Sequence, residues 1–595
     1  MCGFVGIISL KKQLFLNSNY FKNIIGHRGP DMNNFFHSHD KKSIIYFSRL
    51  SINDLSIKGN QPFSYKNFLL VANCEIYNFI ELRKELSKKY LFKSNSDAEV
   101  LLYSFIEWGH DFVKKIDGMF AIAIFDKENK DLIIYRDRVG IKPLYYYHNN
   151  EYIIFASEFL QVLDILKKLK ENITLNQESI DNYLLGPYNF LDTTHVDGIK
   201  KVSPSTYIKF KNFKKTKKKY WSFDEIKKIN LSFAEAKDKL NFIFKENLKK
   251  HLISDVPISV MLSGGLDSSF IATIASSFVN EKKDLNSTTI NIDNSLSDFE
   301  KNNIQFLSKK INLKNKILNI SSKDILNDIF KNINIFDDLQ SSDAGYLTNF
   351  EIAKHLQKRN IKVVLVGDGS DEILGGYSWF GLSKFPFCIL PKEIRNYLYI
   401  YATSRIFSKK NNFRVYNNLS KEINKFKGDY FDVITKNEIL NQLPNNYLMK
   451  VDKPFMRCGV EARVPYLDNN FMNFIISLNN NFKLKGKTYG FSSFSNSNEK
   501  YILREKFKEV LDTKITSAKK KGFSISIFKM IQENKKLFKS VLLNNNSFLL
   551  NQKKSEIENM INSIGPSSYH PLKKEKEIYI WKLFLLNVWK YKNEL

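Results

Sequence analysis

Cys2 directly follows the initiator Met. With Met1 removed, one residue would carry both a thiol and a free α-amine. An amine of pKa near about 8 can act as a local base, and a thiolate attacks amide carbonyls well. A cysteine at position two says little alone. A second group lies far along the chain: Ser263-Gly264-Gly265-Leu266-Asp267-Ser268-Ser269, between an apolar run (256–262) and a helical stretch (270–278). A strand, a Gly/Ser loop and a helix N-terminus make an anion site, because glycines let backbone N–H groups approach phosphate oxygens and the helix dipole favours negative charge. The loop lacks the Gly-Lys-Ser/Thr ending of a Walker A motif. Downstream, an apolar run (363–366) enters Gly367-Asp368-Gly369-Ser370-Asp371-Glu372. An acidic turn opposite a phosphate loop can hold Mg2+ and orient an acceptor.

The surrounding chain must position these groups. To about residue 160 it reads as strands, at 3–9, 43–54, 68–78, 119–126, 131–137 and 152–157, with helices at 81–89 and 98–108. β-branched and aromatic runs broken by turn residues imply an α+β layered domain. Residues 161–230 are transitional, and the basic run 209–219 reads as a solvated connector or a strand edge. From about 235, amphipathic helices alternate with short apolar runs at 257–262 and 362–366, the texture of a parallel sheet wrapped by helices. The last fifty or so residues carry no readable motif.

Composition narrows the class. The 595 residues are 43% hydrophobic and 26% charged, which excludes a wholly disordered chain. Lys and Arg exceed Asp and Glu by 91 − 62 = +29, but the charge is spread out and no basic-aromatic motif marks a nucleic-acid site. No run of roughly 18 apolar residues reads as a membrane span. The start, MCGFVGIISLKK, lacks the basic region of a signal peptide. The four cysteines show no paired metal or disulfide spacing, which fits a reducing cytoplasm.

Four further segments give Cys2 a context: His27-Arg28-Gly29-Pro30-Asp31, Arg49-Leu50-Ser51-Ile52, Asn73-Cys74-Glu75-Ile76-Tyr77-Asn78 and Ser96-Asp97-Ala98-Glu99. Together they resemble the glutaminase domain of class II glutamine amidotransferases, an N-terminal-nucleophile hydrolase fold. The resemblance implies that Cys2 attacks the glutamine amide. Arg49 would hold the glutamine α-carboxylate, Glu75 and Asp97 its α-ammonium, and the Asn73 side chain with the Cys74 N–H the oxyanion. The family pattern at 73–75 is Asn-Gly-Glu, whereas this chain has Asn-Cys-Glu. If that position needs φ > 0, a Cβ costs about 1–2 kcal/mol. Cys74 is therefore expected to slow glutamine hydrolysis or to lock oxidatively with Cys2.

The Ser-Gly-Gly-Leu-Asp-Ser loop resembles the pyrophosphate loop of ATP pyrophosphatases. This implies ATP contacts from Ser263, Gly264, Gly265, Asp267, Ser268, Gly367 and Asp368, with Asp267 and Asp371 on Mg2+–pyrophosphate. Glu461-Ala462-Arg463-Val464-Pro465-Tyr466-Leu467-Asp468 resembles a family segment in which Glu461 and Arg463 would be structural. Lys519-Lys520-Lys521-Gly522-Phe523 follows Ile502-Leu503-Arg504-Glu505, and by position Lys520 would stabilise the adenylating transition state. Ala518 stands where the family has Arg.

Taken whole, the sequence resembles the glutamine-hydrolysing asparagine synthetases. The implied fold is an α+β N-terminal-nucleophile hydrolase sandwich at residues 1–200, with a connector at its end. An α/β ATP-pyrophosphatase domain, of adenine nucleotide α-hydrolase type, would occupy 230–595. The implied reaction amidates aspartate through an acyl-adenylate, with ATP, Mg2+ and ammonia from glutamine. Asp368 and Ser297-Asp298-Phe299-Glu300 depart from the familiar pattern, so another carboxylate, a sugar acid or a peptide, stays open as acceptor. The resemblance also suggests a homodimer, while the spread charge and the lack of an apolar span point to no nucleic-acid or membrane partner and the cysteine usage to the cytoplasm.

Overall fold

The computed structural model describes residues 2–189, 192–278, 285–404, 412–486, 499–510, 525–549, 552–565 and 571–595. Two six-stranded antiparallel sheets build the N-terminal half. The first runs, in spatial order, Ile199–Lys201, Tyr145–His148, Tyr152–Ala156, Cys2–Ser9, Ser43–Arg49, Met32–His37. The second runs Lys214–Lys219, Thr206–Lys211, Leu132–Arg136, Gly118–Asp126, Phe68–Ile76, Phe63–Tyr65. Alternate residues point to opposite faces. Phe4, Ile8, Ile45 and Phe47 of the first sheet therefore meet Val71, Ala123 and Ile134 of the second in one dry layer. The other faces are covered by helices. Phe21 of Ser18–Ile25 stacks on Tyr46 at 5.7 Å, and Phe105 of Glu99–Trp108 meets Phe68 at 5.4 Å. This is the α+β sandwich expected, with its two sheets between two layers of helix. With both faces covered, every residue of Cys2–Ser9 is buried.

The basic run is an edge strand. Lys214–Lys219 pairs only with Thr206–Lys211 and is exposed throughout. The second sheet thus runs on to Lys219, beyond residue 200.

The second half holds five parallel strands in the order Lys314–Ile320, Asn286–Ile292, Ile258–Met261, Val363–Leu365, Glu461–Arg463. The chain builds outward from Ile258–Met261 to one side, then returns to its other side with Val363–Leu365. The loops after these two neighbours open a crevice at a topological switch point, where open α/β sheets bind ligands. They are the Ser263–Ser269 loop and the Gly367–Glu372 turn.

The unreadable C-terminus is an integral helix, Pro571–Lys592, with Trp581, Phe584, Leu585 and Trp589 fully buried. Trp581 and Trp589 donate their indole N–H groups to Ser342 O at 2.9 Å and Asp337 O at 2.7 Å. No described helix is long and apolar enough to cross a membrane.

Candidate active site

The first site lies at the edge of the sandwich. Cys2 begins the first strand opposite Arg49, and a small pocket is lined by Cys2, Arg49, Cys74, Glu75 and Asp97. Five residues drawn from four distant segments thus meet in one place. Asn73 accepts the Cys2 main-chain N–H on Oδ1 at 3.3 Å, and its buried Nδ2 has no partner among the described residues. A second donor follows from strand register. Asp137 N–H donates to Phe120 O, so Phe120 turns its main chain away from Phe68–Ile76. Cys74, opposite Phe120, must then turn its own N–H to the outer edge. Its neighbours on that edge, Ala72 and Ile76, donate to Gln61 Oε1 at 2.6 Å and Asp97 Oδ2 at 2.9 Å. Asn73 Nδ2 and the Cys74 N–H are two donors that can serve an anionic oxygen.

The backbone of Cys74 lies within a regular strand and outside the left-handed region, so its Cβ is not strained. This removes the conformational reason for slow turnover. Its Sγ is 3.9 Å from Asp97 Oδ2, and neither Cys2 nor Cys74 is in a disulfide. Burial pushes both thiols up. Burial also pushes up the Asp97 and Glu75 carboxyls. Two carboxylates that are costly to ionise gain from an incoming cation. Arg49 is buried, with its terminal nitrogens on Ser56 O at 2.6 Å, on Asn53 O at 3.4 Å and on Asp54 O. Gly59 permits this, since a Cβ there would lie 2.2 Å from Arg49 Nη2.

Glu75 also answers to the other domain. Its Oε1 accepts from Asn53 Nδ2 at 2.8 Å, and its Oε2 pairs at 3.0 Å with Arg463. Arg463 is fully buried, bonded to Glu461 at 2.6 Å and to the carbonyls of His251 and Ile253. The expected structural role is thereby specified as a cross-domain tie. Arg28 makes another tie, from Cys2 O at 3.3 Å to Glu158 at 2.9 Å and to Asp452 at 3.0 Å.

The second site lies at the switch point. Ser263 and Ser268 hydroxyls join at 2.8 Å and Gly265 N–H donates to Ser263 Oγ at 3.3 Å, which folds the loop on itself. Asp267 accepts from Ser370 Oγ at 2.7 Å, so the loop and the acidic turn are clasped together. Between them sits a residue the sequence reading overlooked. Lys500 Nζ bonds both Asp267 oxygens, at 2.8 and 2.7 Å, and Asp371 Oδ1 at 2.6 Å. Burial opposes its charge, but Asp267 and Asp371 hold its ammonium above the ordinary range. Gly376 makes room, for a Cβ there would lie 1.9 Å from Asp371 Oδ1 and 2.2 Å from Lys500 Cε. A signal was present: Lys500 stands two residues before Ile502-Leu503-Arg504-Glu505. Lys520 and Ala518 lie outside the described residues.

Asp267 and Asp371 fit Mg2+ as that ion is commonly held with a polyphosphate, by one or two carboxylates plus phosphate oxygens. No cluster of three or more metal-ligating side chains exists among the described residues, so an all-protein cage is not offered.

Two centres of opposite chemistry, a thiol pocket and a phosphate crevice, tied through Arg28 and Arg463, define a two-domain amidotransferase. Residues 1–221 match the glutamine amidotransferase domain family, and residues 239–570 match the asparagine synthase family. The chain belongs to the asparagine synthase family, whose match spans more than half its length. It is similar to asparagine synthetase [glutamine-hydrolyzing] 1 of Bacillus subtilis (strain 168), at 29% identity over 89% of this chain and 87% of that one. It is similar to asparagine synthetase [glutamine-hydrolyzing] 3 of the same organism at 28%, over 88% and 87%. Asparagine synthetase B [glutamine-hydrolyzing] of Escherichia coli (strain K12) is 26% identical over 88% of this chain and 82% of that one.

Proposed function

We propose that the chain moves the amide nitrogen of glutamine onto the side-chain carboxylate of aspartate, consuming ATP and releasing asparagine, glutamate, AMP and pyrophosphate. The observation that carries the first half is the unpartnered Asn73 Nδ2 buried beside Cys2. After removal of Met1, the Cys2 amine takes the thiol proton and Sγ attacks the glutamine amide. Negative charge forms on the amide oxygen, where Asn73 Nδ2 and Cys74 N–H donate to it. The Cys2 ammonium returns that proton to the departing nitrogen, ammonia leaves as the C–N bond breaks, and water hydrolyses the thioester to glutamate and free thiol. The α-ammonium of glutamine rests on Glu75 and Asp97. Arg49 exchanges loop carbonyls for the α-carboxylate, a charge-assisted contact stronger than the neutral ones it replaces.

In the second half, the acceptor carboxylate attacks the α-phosphorus of ATP, the pyrophosphate leaves, and ammonia displaces AMP from the acyl-adenylate. Ser263, Gly264, Gly265 and Ser268 present the loop to the phosphates, and Gly367 and Asp368 face them from the acidic turn. Lys500 takes the role expected of Lys520, as a buried cation set where charge grows on the leaving pyrophosphate. Mg2+ on Asp267 and Asp371 would neutralise further phosphate charge. All four cysteines are unbridged, and we place the reaction in a reducing cytoplasm.

The test is Cys2→Ala. Asparagine formation from glutamine should fall by at least about 10³-fold while formation from ammonium salts persists. Retention of the glutamine-dependent rate would refute the assignment of the nucleophile.

A further inference from the structure

The reaction above leaves open how the acceptor is recognised. Near the acidic turn stands an ion pair that the chemistry so far does not use. Lys450, on the helix Leu448–Met456, places Nζ 3.2 Å from Asp343 Oδ2. The two side chains keep 22% and 25% of their surface open, whereas the neighbouring pair Lys453–Asp337 is sealed at 2% each. The open pair can be reached by a solute, and the sealed one cannot.

Asp343 is held in place. Its Oδ1 accepts the Gly345 N–H at 2.8 Å, and its own N–H donates to Ser341 Oγ at 3.2 Å. Lys450 Nζ lies 4.7 Å from the centre of the Tyr447 ring, and Tyr447 lies 5.9 Å from Tyr377. Tyr377 donates its hydroxyl to Glu372 at 2.6 Å, next in sequence to the Asp371 that grips Lys500. The pair is therefore linked through two tyrosines to the acidic turn, and Asp368 and Glu372 of that turn lie close enough to act on the Lys450 charge. Burial opposes the charge of Lys450, but Asp343 and then Asp368 hold its ammonium above the ordinary range, so it stays cationic at neutral pH.

An α-amino acid carries a carboxylate and an ammonium on one carbon. A fixed cation and anion side by side are the complement of that head group. We propose that Lys450 and Asp343 read the α-carboxylate and α-ammonium of the acceptor, which leaves its side-chain carboxylate to face the nucleotide. This rests on the amidation proposed above and commits the acceptor class: a free amino acid with a second carboxylate, not a sugar acid. A carboxylate without an ammonium competes with Asp343 for Lys450 and gives Asp343 no cation in return, and sites built to bond a polar group reject analogues lacking it strongly.

The test uses the full chain with ATP, Mg2+ and ammonium chloride, with pyrophosphate release as readout. Three carboxylates are compared: aspartate, succinate (no ammonium) and β-alanine (no α-carboxylate). The wild type should prefer aspartate over either by about 10³-fold in kcat/KM. Asp343→Asn keeps a cap for Gly345 and should lower the aspartate-to-succinate ratio by about 30-fold or more, chiefly through the aspartate KM. Lys450→Met should do the same to the aspartate-to-β-alanine ratio, and Lys450→Arg should restore part of it. Unchanged ratios, or equal losses on all three carboxylates, overturn the proposal. Glutamate release from glutamine reports folding, and Asp343→Ser is the second variant if Asp343→Asn loses it. A wild type with active glutaminase and no aspartate-dependent pyrophosphate overturns the acceptor assignment itself, an outcome distinct from unchanged ratios.

Discussion

At the scale of single residues, the two centres differ in how they were legible. Cys2, Arg49, Asn73, Cys74, Glu75 and Asp97 sit in ordered segments and meet around one pocket. Lys500 was overlooked despite its place two residues before Ile502-Leu503-Arg504-Glu505, because a lysine ahead of an amphipathic helix looks like an ordinary solvated charge. Its left-handed backbone, φ 50°, is the mark of a residue held by its surroundings. Lys500→Met should cut aspartate-dependent pyrophosphate release by about 10²–10³-fold, the usual loss of one transition-state stabiliser. Glutamate release should change less than twofold, which a coupled assay of both products checks. Cys74→Gly tests a different point. With no strain to relieve, kcat for glutamine should stay within about twofold while KM falls, since the thiol beside Asp97 occupies pocket space. Glycine in a strand should also lower stability by about 0.5–1 kcal/mol, visible as a lower Tm.

At the scale of elements, β-branched and aromatic runs placed the longer sandwich strands but not Met32–His37, Phe63–Tyr65, Tyr145–His148 or Thr206–Lys211, and short apolar runs placed Ile258–Met261 and Val363–Leu365. The C-terminal helix escaped because periodicity reveals a helix only when one face is wet. Pro571–Lys592 carries Trp581, Phe584, Leu585, Leu586 and Trp589 on several faces, all buried. Its two tryptophans brace the main chain between Asp337 and Ser342, the segment that leads into Asp343. Trp589→Ala should cost about 3–5 kcal/mol in a urea titration, the range for removing a fully buried aromatic. The exposed lysines of Lys214–Lys219 have an element-level reason as well. Charged edge strands resist pairing with a second chain, so part of the +29 charge protects a sheet edge.

At the scale of the whole molecule, the two domains share buried polar contacts that no local pattern announces. His251, from the synthetase side, stacks on Tyr77 of the glutaminase domain at 3.8 Å and is fully buried. Burial pushes its imidazole down to about 3, against about 6.5 in an unfolded chain. Below the unfolded value, the unfolded chain takes up a proton that the folded one refuses. Stability is therefore full above about pH 6.5 and declines as pH falls toward 3, by about 1.4 kcal/mol per unit from this group. Urea midpoints at pH 7.5 and pH 5 should show about 2 kcal/mol of acid loss attributable to His251, absent in His251→Gln. An equal acid loss in both proteins would remove His251 as its source.

The sequence by itself pointed to the two chemistries, through a cysteine at position two, a Gly/Ser loop between a strand and a helix, and the ordered motifs around them that resemble one family. It also pointed to the layered architecture, because β-branched and aromatic runs broken by turns, and then helices alternating with short apolar runs, are local patterns. Only the tertiary structure decided which lysine stands between Asp267 and Asp371, that Arg463 ties Glu75 to the synthetase domain, and that Lys450 and Asp343 form an open pair. Each is an ion pair between residues far apart in the chain. A charge in a sequence carries no sign of its partner, and the cost of burying it is met only where the fold brings that partner within about 3 Å.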